Sequence, residues 1–339
     1  MTEEKDIKFI HLHTHSHYSL LDGLSKLEDL VDLAKERGMP AMAITDHGNM
    51  YGAIEFYKLA KNAGVKPIIG VEAYVANRGR LDKDPGIDNK RYHLTLLAKN
   101  LEGYKNLMRL VTISHLEGFY YKPRMDKEIL RKYSAGIIAL SGCLGGELSR
   151  ALANKDEEKA DQIVREHQEI FGKENYFLEI MKHQTVQGDE EVRTGLIKLS
   201  KKFNIPLVGT IDSHYPCTED NKAHETLLAI QTSSDIKDEN KFSFGDDDYS
   251  FIDTKEAQEL FKDTPEAVTN TNIVADMCNL ELELGRWVFP DFKIEEGKTY
   301  DEKLRELTYA GFEKLGINET PTIKERVEYE LKIPSTSFL

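Results

Sequence analysis

Apolar and polar positions along the first two thirds of the chain alternate between two periods. Short apolar runs rich in Ile, Val, Leu and aromatics recur at 7–13 (IKFIHLH), 40–45 (PAMAIT), 66–75 (KPIIGVEAYV), 91–98 (RYHLTLLA), 136–143 (GIIALSGC), 175–180 (NYFLEI) and 205–212 (IPLVGTID). Each has the length and composition of a buried strand. Stretches with a helical apolar stripe separate them. In the first, Leu27, Leu30, Val31 and Ala34 share a face, Ser25 and Glu28 have the spacing of a capping box, and Gly38 supplies the stop. Helices predicted over 53–63, 156–171 and 192–203 stop at Gly64, Gly172 and Asn204. Strand and helix alternating through seven units predict a mostly parallel sheet, closed or nearly closed into an α/β barrel.

After residue 215 the pattern changes. Helices are predicted at 220–231, 254–261, 265–278 and 301–315, the third with Pro265 in its first turn, and a polar, turn-rich stretch covers 237–251. The chain therefore divides into a barrel over 1–215, a helical extension over 216–285 and a further region over 286–339. It shows neither an internal repeat nor a low-complexity tract.

Composition narrows the class. Of 339 residues, 40% are hydrophobic and 31% charged, the balance of a water-soluble globular protein. No apolar run approaches the roughly 18 residues of a membrane helix. The start, MTEEKDIKF, lacks the regions of a signal peptide. A cytoplasmic protein without a membrane partner is expected. Cys143, Cys217 and Cys278 are too few for a disulfide framework. The net charge of −14 argues against a long basic DNA footprint, so any nucleic-acid contact should be local or shared with a larger assembly.

Candidate chemistry collects at the strand ends. The first run carries His11, His13 and His15, with Asp22 following; the second ends in Asp46 and His47. Glu72, His93, Cys143, Glu179, and then Asp212 with His214, mark the remaining five. Imidazole, carboxylate and thiolate are transition-metal donors, and barrels of this kind place chemistry at the C-terminal strand ends. His13 and His15, one residue apart, share a face of an extended strand. A lone His-x-His is a weak signal; a donor at the end of each strand is a strong one. His11 reads as a core or supporting histidine, His17 as a loop residue, and Asp46 as a carboxylate that orients an imidazole. Glu179 can equally pair with a lysine. Cys217 and Cys278 read as structural, His115, His167 and His183 as solvated, and His224 lacks a donor at i+4. Arg78, Lys99 and Arg124 are basic residues near strand ends, more readily read as solvated than as phosphate ligands. Phosphate loops, dinucleotide fingerprints and nucleophile elbows are absent.

The segments HLHTHSHYSLLDG, AITDHGNMYG, IIGVEAYV, YHLTLLAKN, SGCLGGE and DSHY resemble the PHP (polymerase and histidinol phosphatase) domain. The likeness is to the branch carried by alpha subunits of bacterial DNA polymerase III, to which MCNLELELGRWVFPDF is also similar. That resemblance implies a distorted seven-stranded α/β barrel. It implies two or three divalent ions held by nine residues: His13, His15, Asp22, His47, Glu72, His93, Cys143, Asp212 and His214. It implies phosphoester hydrolysis in which Asp22, Glu72 and Asp212 carry the catalytic weight, and a 3′–5′ exonuclease acting on the 3′ end of a DNA primer. The rest of the polymerase alpha subunit and other replisome subunits would be the partners. Mixed imidazole and carboxylate donors favour Zn, Mn or Fe. Two other readings stay open: a metal-braced docking module without turnover, and a small-molecule phosphatase or pyrophosphatase. Ile211 stands where the branch usually has Asn. Residues 286–339 resemble the start of the polymerase palm, Pro334 is expected to break the last helix, and the catalytic aspartates of the palm are missing, so polymerisation is not expected of this chain.

Overall fold

The computed structural model describes residues 7–183, 185–186, 188–238, 242–245, 247–288 and 290–336. They form two compact units, Met1–Leu282 and Glu283–Leu339. The strands of the first unit are β1 (Ala41–Ile44), β2 (Lys66–Ala76), β3 (Arg91–Ala98), β4 (Phe119–Tyr120), β5 (Lys122–Met125), β6 (Ile137–Leu140), β7 (Tyr176–Ile180) and β8 (Leu207–Gly209). Its helices are α1 (Leu27–Glu36), α2 (Ala53–Ala63), α3 (Leu101–Leu116), α4 (Lys127–Lys132), α5 (Glu147–Ala153), α6 (Glu157–Phe171), α7 (Asp189–Phe203), α8 (Asn221–Thr232), α9 (Thr254–Leu260) and α10 (Glu266–Met277).

The sheet runs β1-β2-β3-β6-β7-β8, with β5 and β4 attached to the far end of β2. An extended segment over 9–15 closes it. Ala43 N–H donates to His11 O at 2.7 Å on one side, and His15 N–H donates to Ser213 O at 2.8 Å on the other. The result is a distorted seven-membered α/β barrel, as expected. Its first member is not a regular strand, because side chains replace part of its ladder. Phe9 N–H and Ile10 N–H donate to Thr254 Oγ1 (3.1 Å) and Thr271 Oγ1 (3.2 Å), while Asn272 Nδ2 donates to Lys8 O (2.7 Å). α9 and α10 are thus built into the barrel floor. Ile10, Leu12, Ala41, Ala43, Ile68, Leu97, Ile138, Leu140, Phe177 and Val208 pack together with Val274 and Ala275 of α10 and with Cys278 just after it, a cluster separate from the larger one between strands and helices. Gly70 sits on the same face of β2 as Ile68 and Glu72; a Cβ there would lie 2.6 Å from Leu96 O and 2.7 Å from Leu97 Cδ2, so only glycine fits.

Three local expectations fail. Strand and helix do not alternate throughout: no helix separates β2 from β3, and β3 is antiparallel to both β2 and β6, while β1-β2, β6-β7 and β7-β8 are parallel as expected. Residues 77–90 between β2 and β3 hold Gly79, Pro85 and Gly86, which interrupt any helix, so the chain turns back directly. The turn is tied by the Arg78 guanidinium on Asp84 and Asp88 and by Arg124. Ser25 and Glu28 do not form a capping box: α1 starts after Lys26, which makes no side-chain cap, and Ser25 is buried. In the second unit, α11 (Tyr300–Leu315) does carry a capping box, from Thr299 and Glu302, and α12 runs Pro321–Thr336. α12 continues past Pro334 to Thr336, so the expected break there is not found.

Candidate metal centre

The antiparallel β3 explains one feature of the site. The donors that follow β1, β6 and β8 lie beyond the C-terminal end, Glu179 is the penultimate residue of β7 and Glu72 lies in the C-terminal half of β2; in β3, His93 lies near the start. Reversal brings that start to the same barrel mouth. His47 bridges Glu72 and His93 bridges Gly146 across neighbouring strands. Asp212 follows β8 with φ +56°, a left-handed conformation that a short polar side chain tolerates, and this turn sets it beside Ser213 and His214.

All nine expected residues converge. Glu72, fully buried, lies at the centre. Its Oε1 is 2.7 Å from His93 Nδ1 and 3.4 Å from Cys143 Sγ, and its Oε2 is 2.6 Å from His47 Nδ1 and 3.4 Å from His15 Nε2. Asp212 Oδ1 lies 3.0 Å from His15 Nε2 and 3.2 Å from His13 Nε2. Asp22 Oδ2 is 2.9 Å from His47 Nε2, and its Oδ1 is 3.8 Å from His214 Nε2. Three donor groups result: His13, His15, Glu72 and Asp212; Glu72, His93 and Cys143; His15, His47 and His214. Within each, one donor atom per residue lies within 4.8 Å of the others.

The chemistry of these atoms fits cations. His13 Nε2, His15 Nε2, His47 Nδ1, His214 Nε2, Glu72 Oε2, Asp22 Oδ1 and Asp212 Oδ1 are buried and make no aligned hydrogen bond, although they crowd one another. Buried polar atoms almost always find partners. Lone pairs aimed at shared points rather than at donors are what metal coordination requires. Asp212, Glu72, His13, His15 and His47 could hold ions between them, with Cys143 and His93 on one flank and Asp22 and His214 on the other.

The surrounding groups orient the imidazoles. His13 Nδ1 is 2.6 Å from Glu179 Oε1, and Glu179 is fixed by Thr95, Thr210 and Gly142 N–H. His15 Nδ1 meets Ser19 Oγ at 2.8 Å, and Ser19 donates to Asp46 at 2.7 Å. Asp46 therefore orients an imidazole through a serine, and Glu179 pairs with a histidine rather than a lysine. Burial alone would lower the His13 pKa; Asp212, Glu179 and Glu72 overcome it and hold it well above the ordinary range. Burial likewise opposes charge on His47, but Tyr74, Glu72 and Asp22 raise it. Burial would raise Glu72, yet His93, His47 and His13 hold it well below the carboxylate range. Burial and the charges of His47 and His214 push His15 down to about 3.

His11 stacks on Phe251 with ring centres 3.8 Å apart and bonds Ile252 O, a core role as expected. Several other residues fall elsewhere than expected. His115 is half-buried against Gly48 O, and His167 and His183 are buried, so none is simply solvated. His224 is buried beside the cluster, its Nε2 3.9 Å from Asp22 Oδ1 and its ring 5.5 Å from His214. Arg124 is fully buried and donates to four backbone carbonyls, Lys99 binds Asn175, and Arg78 is ion-paired. The basic residues that do line the site's cavity are Arg91, Lys122 and Arg150. No sequence signal separated them from other surface cations.

A barrel with a buried cluster of imidazole, carboxylate and thiolate at one mouth has the build of a metal-binding domain. The chain belongs to the PHP family, whose domain description, PHP domain, matches residues 11–183. Among its relatives, the DNA polymerase III subunit alpha of Borreliella burgdorferi is 42% identical over 330 residues, covering 96% of this chain and 28% of the relative. That of Thermus aquaticus is 43% identical over 315 residues, covering 90% of this chain and 26% of the relative. The chain thus spans a little over a quarter of the length of these relatives. A solved two-domain protein of Bacteroides vulgatus, described as containing a predicted PHP-like metal-dependent phosphoesterase, is 17% identical, covers 77% of this chain and 63% of its own, and aligns with a TM-score of 0.41.

Proposed function

We propose that this chain is a PHP domain of a DNA polymerase III alpha subunit that hydrolyses phosphodiesters with two or three divalent ions, as a 3′–5′ exonuclease on a DNA primer end. The reading rests on one observation: buried donor atoms of seven residues that make no aligned hydrogen bond share one mouth of the barrel around Glu72, with His93 and Cys143 beside them. Bound Zn, Mn or Fe would supply a water that ionises near neutral pH and positive charge for the phosphate oxygens. Glu72 belongs to two of the donor groups and Asp212 to one, and both carboxylates would help to hold the ions. Asp22, on the cavity side with His47, is the third carboxylate of the catalytic set. Ser19 and Glu179 keep the imidazoles of His15 and His13 turned inward. The barrel over 1–215 would carry the chemistry, 216–285 would complete the PHP domain, and 286–339 would lead toward the polymerase. The rest of the alpha subunit, other replisome subunits and the cytoplasm complete the reading; among the described residues no helix is long and apolar enough to cross a membrane.

The chain loaded with Mn or Zn should shorten a primer with a mispaired 3′ end, and His13→Ala should not. A primer untouched by either protein would refute the nuclease. The net charge of −14 favours a second reading, a metal-braced docking module, in which the ions raise the melting temperature without turnover.

A further inference from the structure

The cavity over the cluster has a volume of about 580 Å³, within the range of small-ligand sites. Its walls differ. On the His93 side, Tyr74 packs against the His93 and His47 rings at 5.2 and 5.8 Å, and Arg91 and Lys122 lie over the Tyr74 ring at 5.3 and 5.6 Å. On the His214 side stands an aromatic wall. Phe244 meets His214 edge-on at 4.9 Å and Tyr249 at 4.8 Å, and Phe242 follows at 5.8 Å. Both phenylalanines line the cavity; Phe244 is half-buried and Phe242 is 53% exposed. An acidic chain has little reason to keep arginine, lysine and exposed phenylalanine around one opening unless an occupant meets both.

Cations opposite aromatic faces are the means by which proteins hold single-stranded nucleic acid: charge follows the backbone and rings stack on bases. We propose that Phe244 and Phe242 form a stacking shelf for the base of one unpaired terminal nucleotide, while Arg91 and Lys122 hold the phosphate on its 5′ side. The shelf makes the site selective for frayed over paired ends, because a base still in the duplex cannot stack there. This rests on the nuclease reading above, and the two can fail separately.

The test measures binding, not turnover. A short 5′-fluorescein oligodeoxyadenylate with an uncleavable last linkage is titrated with the full chain in Mn²⁺, beside the same strand lacking its terminal base. The intact strand should bind about tenfold tighter, the value of one stacked base. Phe242→Ala, at an exposed position that folding does not need, and Phe244→Leu, which keeps apolar bulk, should each shrink that preference at least threefold. Arg91→Gln should weaken both strands equally and reduce the salt dependence by about one phosphate. Equal binding of the two strands by the unaltered chain, or an unchanged preference in both phenylalanine variants, overturns the shelf. Hydrolysis of bis(p-nitrophenyl) phosphate by the unaltered chain, read separately, reports on the nuclease reading: its absence would remove turnover and leave the shelf to stand or fall on binding.

Discussion

Glu179 Oε1 lies 2.6 Å from His13 Nδ1, and through that contact the opposite nitrogen of His13 faces Asp212 and Glu72. The two residues stand 166 positions apart, so the pair exists only because β7 and the closing segment are members of one barrel. A carboxylate behind a ligating histidine fixes its tautomer and strengthens it as a donor.

Glu179→Gln keeps the shape and removes the charge. Metal affinity, read by competition with a fluorescent chelator, should fall about 10–100-fold while the fold is retained. An unchanged affinity would mean that Glu179 serves packing alone.

Cys143 tests the flank of the cluster. Burial, with the charges of Glu72 and Asp212, holds its thiol well above the usual pKa, so without a cation it stays protonated. The Co²⁺-loaded chain should show thiolate-to-cobalt charge-transfer absorption, and Cys143→Ser should lose it. A spectrum identical in the two proteins would place the thiol outside the coordination sphere.

The metal-free chain should have a stability maximum near the ordinary histidine pKa. His11 and His15 are pushed to about 3, and His167 and His224 to about 4, all by burial first. Below 6.5 the unfolded chain therefore binds more protons than the folded one, and stability falls as pH drops. His13 and His47 are raised, so their contribution is full below 6.5 and is lost as pH climbs through their folded values. Melting temperatures in EDTA should rise between pH 4 and 6.5 and decline above it. Saturating Mn²⁺ or Zn²⁺ should remove the alkaline decline, since a bound ion requires the neutral imidazole. A profile that keeps rising above pH 7 in EDTA would contradict the charge states given to His13 and His47.

Arg124 holds the turn between β2 and β3 from beneath, donating to the carbonyls of Gly118, Asp88, Arg80 and Asp82 at 2.8–3.0 Å. Lysine cannot reproduce that fork. Arg124→Lys should cost about 2–4 kcal/mol in denaturant unfolding, because buried carbonyls lose their donors. A loss under about 0.5 kcal/mol, the size of an ordinary surface change, would show that the turn closes without it.

What the sequence disclosed follows from range. The donors at 13, 15, 47, 143, 212 and 214 end or follow an apolar run, so local pattern pointed them toward one mouth of a barrel, while Glu72 and His93 lie inside their runs and joined the set through the family resemblance. The reversal of β3 was hidden, because an apolar run carries no direction; only the Gly- and Pro-bearing stretch at 77–90, too broken for a helix, hinted at it. The irregular first strand was hidden as well, since the hydroxyls that take over its hydrogen bonds come from Thr254 and Thr271, more than 240 residues away. The same holds for Glu179, for the burial of Arg124 and for the place of His224 beside Asp22. Tertiary contact decides each of them, and no periodicity encodes it.

Crystals grown in Mn²⁺ or Zn²⁺ and measured across the metal's absorption edge test the central claim most directly. Two or three anomalous peaks should appear among Glu72, Asp212, His13, His15, His47 and Cys143, with Glu72 or Asp212 touching more than one. A featureless map at that mouth, with the same side chains closed on one another by hydrogen bonds, would contradict it.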